Sequence, residues 1–187
     1  MKLNLGCAFN HMEGAENVDR DPRCKPDRIV DLEKFPWPWA DESVDEICMH
    51  HSLEHLGADA NVFLGIMREL YRVLKPGGEV HIQVPHPRHD NYINGLTHVR
   101  PITSIVLQQF SLEWNRLTRE GGYANETFGY DLGVDFKITE NQIIVAQPWW
   151  EKYQRGQITN DELEFAVASY WNVIEECRIT IEKVPLE

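Results

Sequence analysis

The chain holds few cysteines, few basic residues and no long apolar run, and each shortage removes a class of protein. Its four cysteines, Cys7, Cys24, Cys48 and Cys177, are widely spaced and form no Cys-x-x-Cys pair. With no secretory leader ahead of them, no disulfide framework is expected, and a reducing cytoplasm is the expected setting. No stretch approaches the roughly 20 apolar residues that cross a bilayer, so membrane insertion is not expected. Lys and Arg number 18 against 30 Asp and Glu, a net charge of −12. A broad phosphate-backbone footprint needs clustered basic side chains, which makes nucleic acid a disfavoured partner. Internal repeats, low-complexity tracts and linkers are also missing. At 187 residues, a single domain over 1–187 buries roughly 70% of its unfolded surface without a disulfide or metal staple.

What is present begins at the first residue. Met1-Lys-Leu-Asn-Leu-Gly-Cys-Ala8 is an apolar run that ends on Gly6, the pattern of a strand delivered into a glycine turn. Such a turn leaves backbone N–H groups free and lets a nucleotide approach the main chain. Two later apolar runs end on acids, Asp19 in Glu16-Asn-Val-Asp19 and Asp31 in Arg28-Ile-Val-Asp31. At strand ends these supply acceptors for ribose hydroxyls or an adenine amino group, although Asp is also an ordinary turn residue there. Further on, Val62, Phe63, Ile66, Met67, Leu70 and Leu74 recur at the helical period, predicting a helix from Asp59 to Leu74 that Lys75-Pro-Gly-Gly78 terminates. Strands are predicted on either side, over Asp45 to His50 and Glu79 to Val84, a parallel unit by its spacing.

The order of these pieces resembles the class I S-adenosylmethionine-dependent methyltransferases over roughly residues 1–86. The most specific are His51-Ser-Leu-Glu-His-Leu56 and Glu69-Leu-Tyr-Arg-Val-Leu-Lys-Pro-Gly-Gly78, which join Leu-Asn-Leu-Gly-Cys, Asn17-Val-Asp19 and Ile29-Val-Asp-Leu32. The resemblance implies an α/β fold: a doubly wound, mainly parallel, seven-stranded sheet with an antiparallel C-terminal strand pair. It implies S-adenosylmethionine as cofactor, with Asn4, Gly6, Cys7 and Ala8 making main-chain contacts and Asp19 accepting from the ribose. Asp31 would accept from the adenine amino group beside Leu32, and His50 and His51 would flank the sulfonium. Residues 1–86 are then the cofactor-binding half, 87–130 a substrate-side cap, and 131–187 a hairpin, a helix and a strand.

Two departures stand out. The family usually carries Gly-Cys-Gly, whereas this chain reads Gly6-Cys7-Ala8, and a left-handed backbone at alanine costs roughly 1 kcal/mol. The interval from Cys7 to Ala15 is too short for a crossover of about ten to twelve residues, so a stunted helix or bare loop is expected and the N-terminal helices are reduced.

Methyl transfer needs a base only when the acceptor must lose a proton. His51 and His55 are the candidates, with Glu54 second, although Glu54 and His55 can instead orient the loop. Arg88, His98 and Arg100 can bind an anionic acceptor group, beside an aromatic wall that includes Tyr123. The acceptor itself stays unidentified, and a small molecule or another non-nucleic-acid substrate is expected, since the Asp/Asn-Pro-Pro-Tyr/Phe signature of amino-methylating nucleic-acid enzymes is missing. Two rival readings remain open. His51, His55, His86 and His89 could hold a catalytic metal, although no metal site is assigned. A catalytically inactive methyltransferase-like module is the other, motivated by Ala8 and the short first crossover. Oligomeric state is not legible.

The remaining expectations concern the second half. Helices are predicted over 102–110 and 111–119, and a hairpin joins Phe136-Lys-Ile-Thr139 to Ile143-Ile-Val145 about Glu140 and Asn141. Thr159-Asn-Asp-Glu162 opens a helix to about Trp171, and Val173 to Val184 forms a last strand.

Overall fold

The computed structural model describes residues 1–123 and 126–186. Its sheet contains β1 (Lys2–Leu5), β2 (Glu16–Asp19), β3 (Arg28–Ile29), β4 (Val44–His50), β5 (Leu74–Pro85), β6 (Phe136–Val145) and β7 (Ile174–Lys183). The order across the sheet is β3-β2-β1-β4-β5-β7-β6. Neighbours from β3 to β5 pair in parallel, while β7 runs antiparallel to both β5 and β6. The chain therefore winds outward from β1 to β3 and returns to β4, on the other side of β1. This is the doubly wound order that the sequence resemblance implied, and the reversal opens a crevice at the carboxyl ends of β1 and β4.

Helix α1 (Ala60–Val73) connects β4 to β5. Asp59 caps it by accepting from the Asn61 N–H at 2.7 Å, and Phe63, Ile66, Met67 and Leu70 are buried against the core. Strand β5 follows at once: Leu74 already pairs with Val44, so the strand begins ahead of the expected Glu79.

Among the described residues α1 is the only α-helix between β1 and β5. The β1–β2 connection is a bare loop. A buried amide network holds it where a crossover helix would otherwise pack. Asn4 donates through Nδ2 to the Asn10 carbonyl at 2.8 Å and to Asn17 Oδ1 at 2.9 Å. Asn17 Oδ1 also accepts from the Met12 N–H at 2.7 Å, and Asn17 Nδ2 donates to Asp27 Oδ2 at 2.9 Å. Ahead of β4, Trp37 and Trp39 bury their indoles in the core. Their N–H groups donate to the Leu32 carbonyl at 3.1 Å and Glu16 Oε2 at 2.8 Å, so the apolar rings are buried without orphaning a donor.

Above the sheet lie α2 (Asp90–Ile93), α3 (Ser104–Gln108), α4 (Leu112–Glu120) and α5 (Phe128–Leu132). Element α3 falls within the first expected helix and α4 matches the second to within a residue at its end, capped by Thr103 and Ser111. The expected hairpin at 136–145 is corrected. Phe136–Val145 is one continuous strand, and Glu140 and Asn141 pair with Thr180 and Ile179. No glycine stands there to make a tight turn, and β6 lies at the sheet edge, where polar side chains are readily solvated. A bulge between Ile138 and Glu140 breaks the alternation that made the run look like two pieces. Helix α6 (Gln147–Gln154), not anticipated, packs on α7 (Asn160–Ser169), with Trp149 stacked on Tyr170 at 6.1 Å. Helix α7 starts on a reciprocal Thr159–Glu162 capping box.

All four cysteines are buried and unpaired. Burial pushes the Cys7 and Cys177 thiols up to about 11, which keeps them protonated and poorly nucleophilic at neutral pH. Among the described residues, no helix is long and apolar enough to cross a membrane.

Candidate active site

The Gly6 and Cys7 N–H groups both donate to the Val18 carbonyl, at 2.9 and 3.0 Å, which draws the loop after β1 across the end of β2. Gly6 (φ +71°) and Ala8 (φ +43°) are left-handed. Alanine thus occupies the strained geometry that the sequence comparison with Gly-Cys-Gly anticipated. Asp19 steadies it: Oδ2 accepts from the Ala8 N–H and Oδ1 from the Asp21 N–H, each at 2.9 Å. A carboxylate has about four acceptor positions, so Asp19 retains capacity for further donors.

At the far side of the cleft β4 is followed by His51 (φ +50°), another left-handed non-glycine residue, whose N–H donates to the Gln83 carbonyl at 2.8 Å. Positive φ at such a residue is held only where the surroundings over-determine it. Ser52 Oγ donates to the Leu5 carbonyl at 2.9 Å, tying the end of β4 to the end of β1. A Cβ on Gly6 would lie 2.5 Å from Ser52 Cβ, so the close approach of the two strand ends requires glycine.

Between these walls is a cleft of about 240 Å³. Gly6, Ala8 and Asp19 line one side, Asp31 and Leu32 the next, and His51, Ser52 and His55 the third. Val30 and Leu56 add apolar surface, and Arg20 lies at the rim. Asp31 accepts from the Glu33 N–H at 3.1 Å and pairs with Lys34 at 3.3 Å. A second cavity of about 310 Å³ shares His51 and His55 with the first and is completed by Glu54, His98, Glu175 and Glu176, among others.

The expected site residues divide accordingly. Asn4 and Cys7 are buried and do not line the cleft. His50, expected beside the sulfonium, instead lines a shallow polar pocket with His81 and Arg178. It follows the alternation of β4, which sends His50 and the residue after the strand in different directions. Arg88 donates to the Ala168 and Val167 carbonyls, at 3.0 and 2.6 Å, at the end of α7. Arg100 donates to the Gly57 carbonyl at 2.6 Å and covers the Phe63 ring. Tyr123 is exposed and lines neither cavity. Of the four expected substrate contacts, only His98 lines the second cavity. His86 and His89 do not join His51 and His55, as the metal alternative required. Their Nδ1 atoms accept from the Arg88 and Asn91 N–H groups at 3.2 and 3.1 Å.

Glu54 is the most unusual group at the site. It is wholly buried, and neither carboxylate oxygen has a hydrogen-bond partner. Its Oε1 lies 3.6 Å from His51 Nδ1, while His51 Nε2 lies 3.2 Å from Glu176 Oε2. Glu54 foremost, with Glu176 adding to it, raises the His51 pKa above the usual histidine value, against the opposing effect of burial. Glu175 and Glu176 were not legible as site residues, because they come from β7, far along the chain, and carried no motif.

A family model described as a methyltransferase domain matches residues 13–82. A methyltransferase dependent on S-adenosylmethionine from Archaeoglobus fulgidus superposes with a TM-score of 0.61 at 18% identity, covering 97% of this chain and 85% of its own. One from Mesorhizobium loti gives 0.54 at 16%, covering 97% and 90%. The [4+2]-cyclase SpnF gives 0.52 at 15%, covering 98% of this chain and 74% of its own. At such identities these similarities establish the fold. No curated protein matches the sequence. The match to a methyltransferase-domain model is confined to residues 13–82, and the fold over the whole chain is methyltransferase-like.

Proposed function

We propose that the protein methylates a small-molecule or other non-nucleic-acid acceptor, with S-adenosylmethionine in the first cleft and the acceptor in the second cavity. The observation that carries this reading is the shared wall. His51 and His55 border both spaces, so ligands in the two would meet across them. The cleft suits the cofactor, with a glycine turn at one strand end and the acidic acceptors Asp19 and Asp31 beyond it. When bound, S-adenosylmethionine supplies an electrophilic methyl group on its sulfonium. In this reading the carbonyls of Gly6 and Ala8 face the amino-acid portion, since the N–H groups of residues 6–8 are taken by Val18 and Asp19, while Asp19 holds the ribose and Asp31 with Leu32 the adenine. Holding the reacting groups in line lowers the barrier without covalent participation by the protein.

His51 is proposed as the group that takes a proton from the acceptor, with Glu54 and Glu176 setting its pKa. His55 and Glu54 shape the acceptor side. Because the His51 pKa is raised, the imidazolium persists above the usual histidine range and the base form accumulates only at higher pH. The sign for stability is the same. The His51–Glu54 attraction contributes fully below the unfolded-state pKa and is lost as pH rises through the folded one. A histidine NMR titration should give a midpoint for His51 above that of an unperturbed histidine, and Glu54→Gln should bring it down. An unchanged midpoint would remove Glu54 from this role.

Asp19→Ala should weaken S-adenosylmethionine binding by about 1–3 kcal/mol, because the ribose hydroxyls lose a charged acceptor and the Ala8 amide loses its brace. Calorimetric titration reads this directly, and affinity equal to that of the unaltered protein would place the ribose elsewhere. Asp19→Asn, which keeps a side-chain oxygen for Ala8, separates ribose contact from loop bracing.

A further inference from the structure

We propose that Glu54, His55 and His98 bind one divalent transition-metal ion of the zinc type at the second cavity, an ion that the methyl-transfer reading does not require. One candidate ligand atom from each residue lies within 4.8 Å of the other two, and the three side chains include no obligate donor. The Glu54 carboxylate is wholly buried with both oxygens unpartnered. A buried carboxylate without hydrogen bonds is costly, and a bound cation removes that cost.

The two imidazoles are arranged as ligands. His55 Nδ1 lies 2.9 Å from Thr97 Oγ1 and 3.2 Å from the Thr97 carbonyl. His98 Nδ1 lies 2.7 Å from the Tyr92 carbonyl. A carbonyl oxygen can only accept, so each Nδ1 carries the proton and each Nε2 presents a lone pair. Metal-ligating histidines are commonly oriented in this way, with the second nitrogen donating to a carbonyl.

The backbone holds the parts together. The Glu54 carbonyl accepts from the Val99 and Arg100 N–H groups at 2.9 and 3.2 Å, clamping the segment that carries His98 onto the turn that carries Glu54 and His55. Gly95 leaves room for the His98 ring: a Cβ there would come within 2.4 Å of it. The His55 and His98 ring centroids are 4.6 Å apart with their planes at 65°. His55 Nε2 is 4.0 Å from Glu54 Oε1, so coordination at about 2.0–2.2 Å asks for a modest inward rotation of the side chains. Two nitrogens and one carboxylate oxygen suit zinc, cobalt, nickel or iron, and three protein ligands leave a position open to the cavity for water or an acceptor oxygen.

The test uses the full chain purified without a histidine tag, stripped with chelator and titrated with cobalt, with zinc uptake measured by calorimetry and elemental analysis. The expected result is one ion per chain, a cobalt visible spectrum of low coordination number and a higher Tm with metal. Glu54→Gln and His98→Ala should each weaken uptake about tenfold or more, whereas His86→Ala and His89→Ala should leave it unchanged. His98→Ala lies at the partly exposed rim, so it reports on the site even if the Glu54 variant folds poorly. No uptake at millimolar metal, or uptake indifferent to both ligand variants, overturns the proposal. Neither result bears on S-adenosylmethionine affinity, which is measured separately on the metal-free protein.

Discussion

Gly6→Ala should abolish cofactor binding and lower stability by about 2–5 kcal/mol. A left-handed backbone costs an alanine roughly 1–2 kcal/mol, and forcing a methyl into a packed contact costs roughly 1–3 more. Both apply here: Gly6 has φ +71°, and the new Cβ would lie 2.5 Å from Ser52 Cβ and 3.2 Å from its Oγ. Relief by moving Ser52 would break its hydrogen bond to the Leu5 carbonyl and part the strand ends that form the cleft. Thermal unfolding should show a drop of about 2–4 °C per kcal/mol for a domain of this size. Calorimetry should find no S-adenosylmethionine binding. A variant with unaltered Tm and affinity would mean that β1 and β4 do not approach as closely as described. Gly77, left-handed at φ +73° with open space within 4 Å of where a Cβ would sit, offers the comparison, since Gly77→Ala bears the backbone strain alone.

The second large effect lies away from the cleft, in the segment that carries the chain from β3 to β4. Glu69 on α1 accepts from the Trp37 N–H at 2.6 Å and from Arg72 Nε and Nη2 at 2.8 and 2.7 Å. Arg72 donates onward to the Trp39 and Trp37 carbonyls at 2.8 and 3.2 Å and to Asp41 at 2.7 Å. Glu69→Ala removes the hub of this network and leaves a partly buried guanidinium and a backbone N–H without their partner, which should cost about 3–5 kcal/mol. Glu69→Gln should cost less, because the amide oxygen can still accept from Trp37. Burial by itself would raise the Glu69 pKa, but the hydrogen bonds from Arg72 and Trp37 outweigh it and hold the carboxyl below the usual glutamate range. A depressed carboxylate contributes stability above its unfolded-state pKa and loses it as pH falls through the folded one. The acid limb of the unfolding curve should therefore flatten in Glu69→Gln. Loss below about 1 kcal/mol in the alanine variant would show that the two tryptophans hold this segment without Glu69.

The reach of sequence reasoning follows the range of the interaction. Helix α1 was legible almost to the residue, because its apolar stripe and the Lys75-Pro-Gly-Gly78 stop are both local. The same is true of α7, whose capping box spans three positions, and of the short first crossover, which is a matter of chain length. The 136–145 segment was misread because its register is set by β7, some 40 positions away, and its bulge disguises the alternation.

The site divides in the same way. The glycine turn, Asp19, Asp31 and the Leu53-Glu54-His55 strand end were visible as motifs, since each lies where its own strand stops. Ala8 was visible as a departure, and its positive φ is the strain that the departure forecast. What sequence could not supply was direction. Whether His50 or His51 turns toward the cleft depends on the pleat of β4 and the left-handed residue that follows it. Whether Arg88 and Arg100 reach a ligand depends on the carbonyls of α7 and Gly57, which take them first. Glu175 and Glu176 enter the second cavity only because β7 inserts antiparallel between β5 and β6. Local order thus determined the strand ends, the glycine turn and the motifs that resemble a methyltransferase. Tertiary pairing alone decided that Glu54 is sealed without a partner beside two imidazoles, because burial and the convergence of lone pairs arise only between segments distant in the chain.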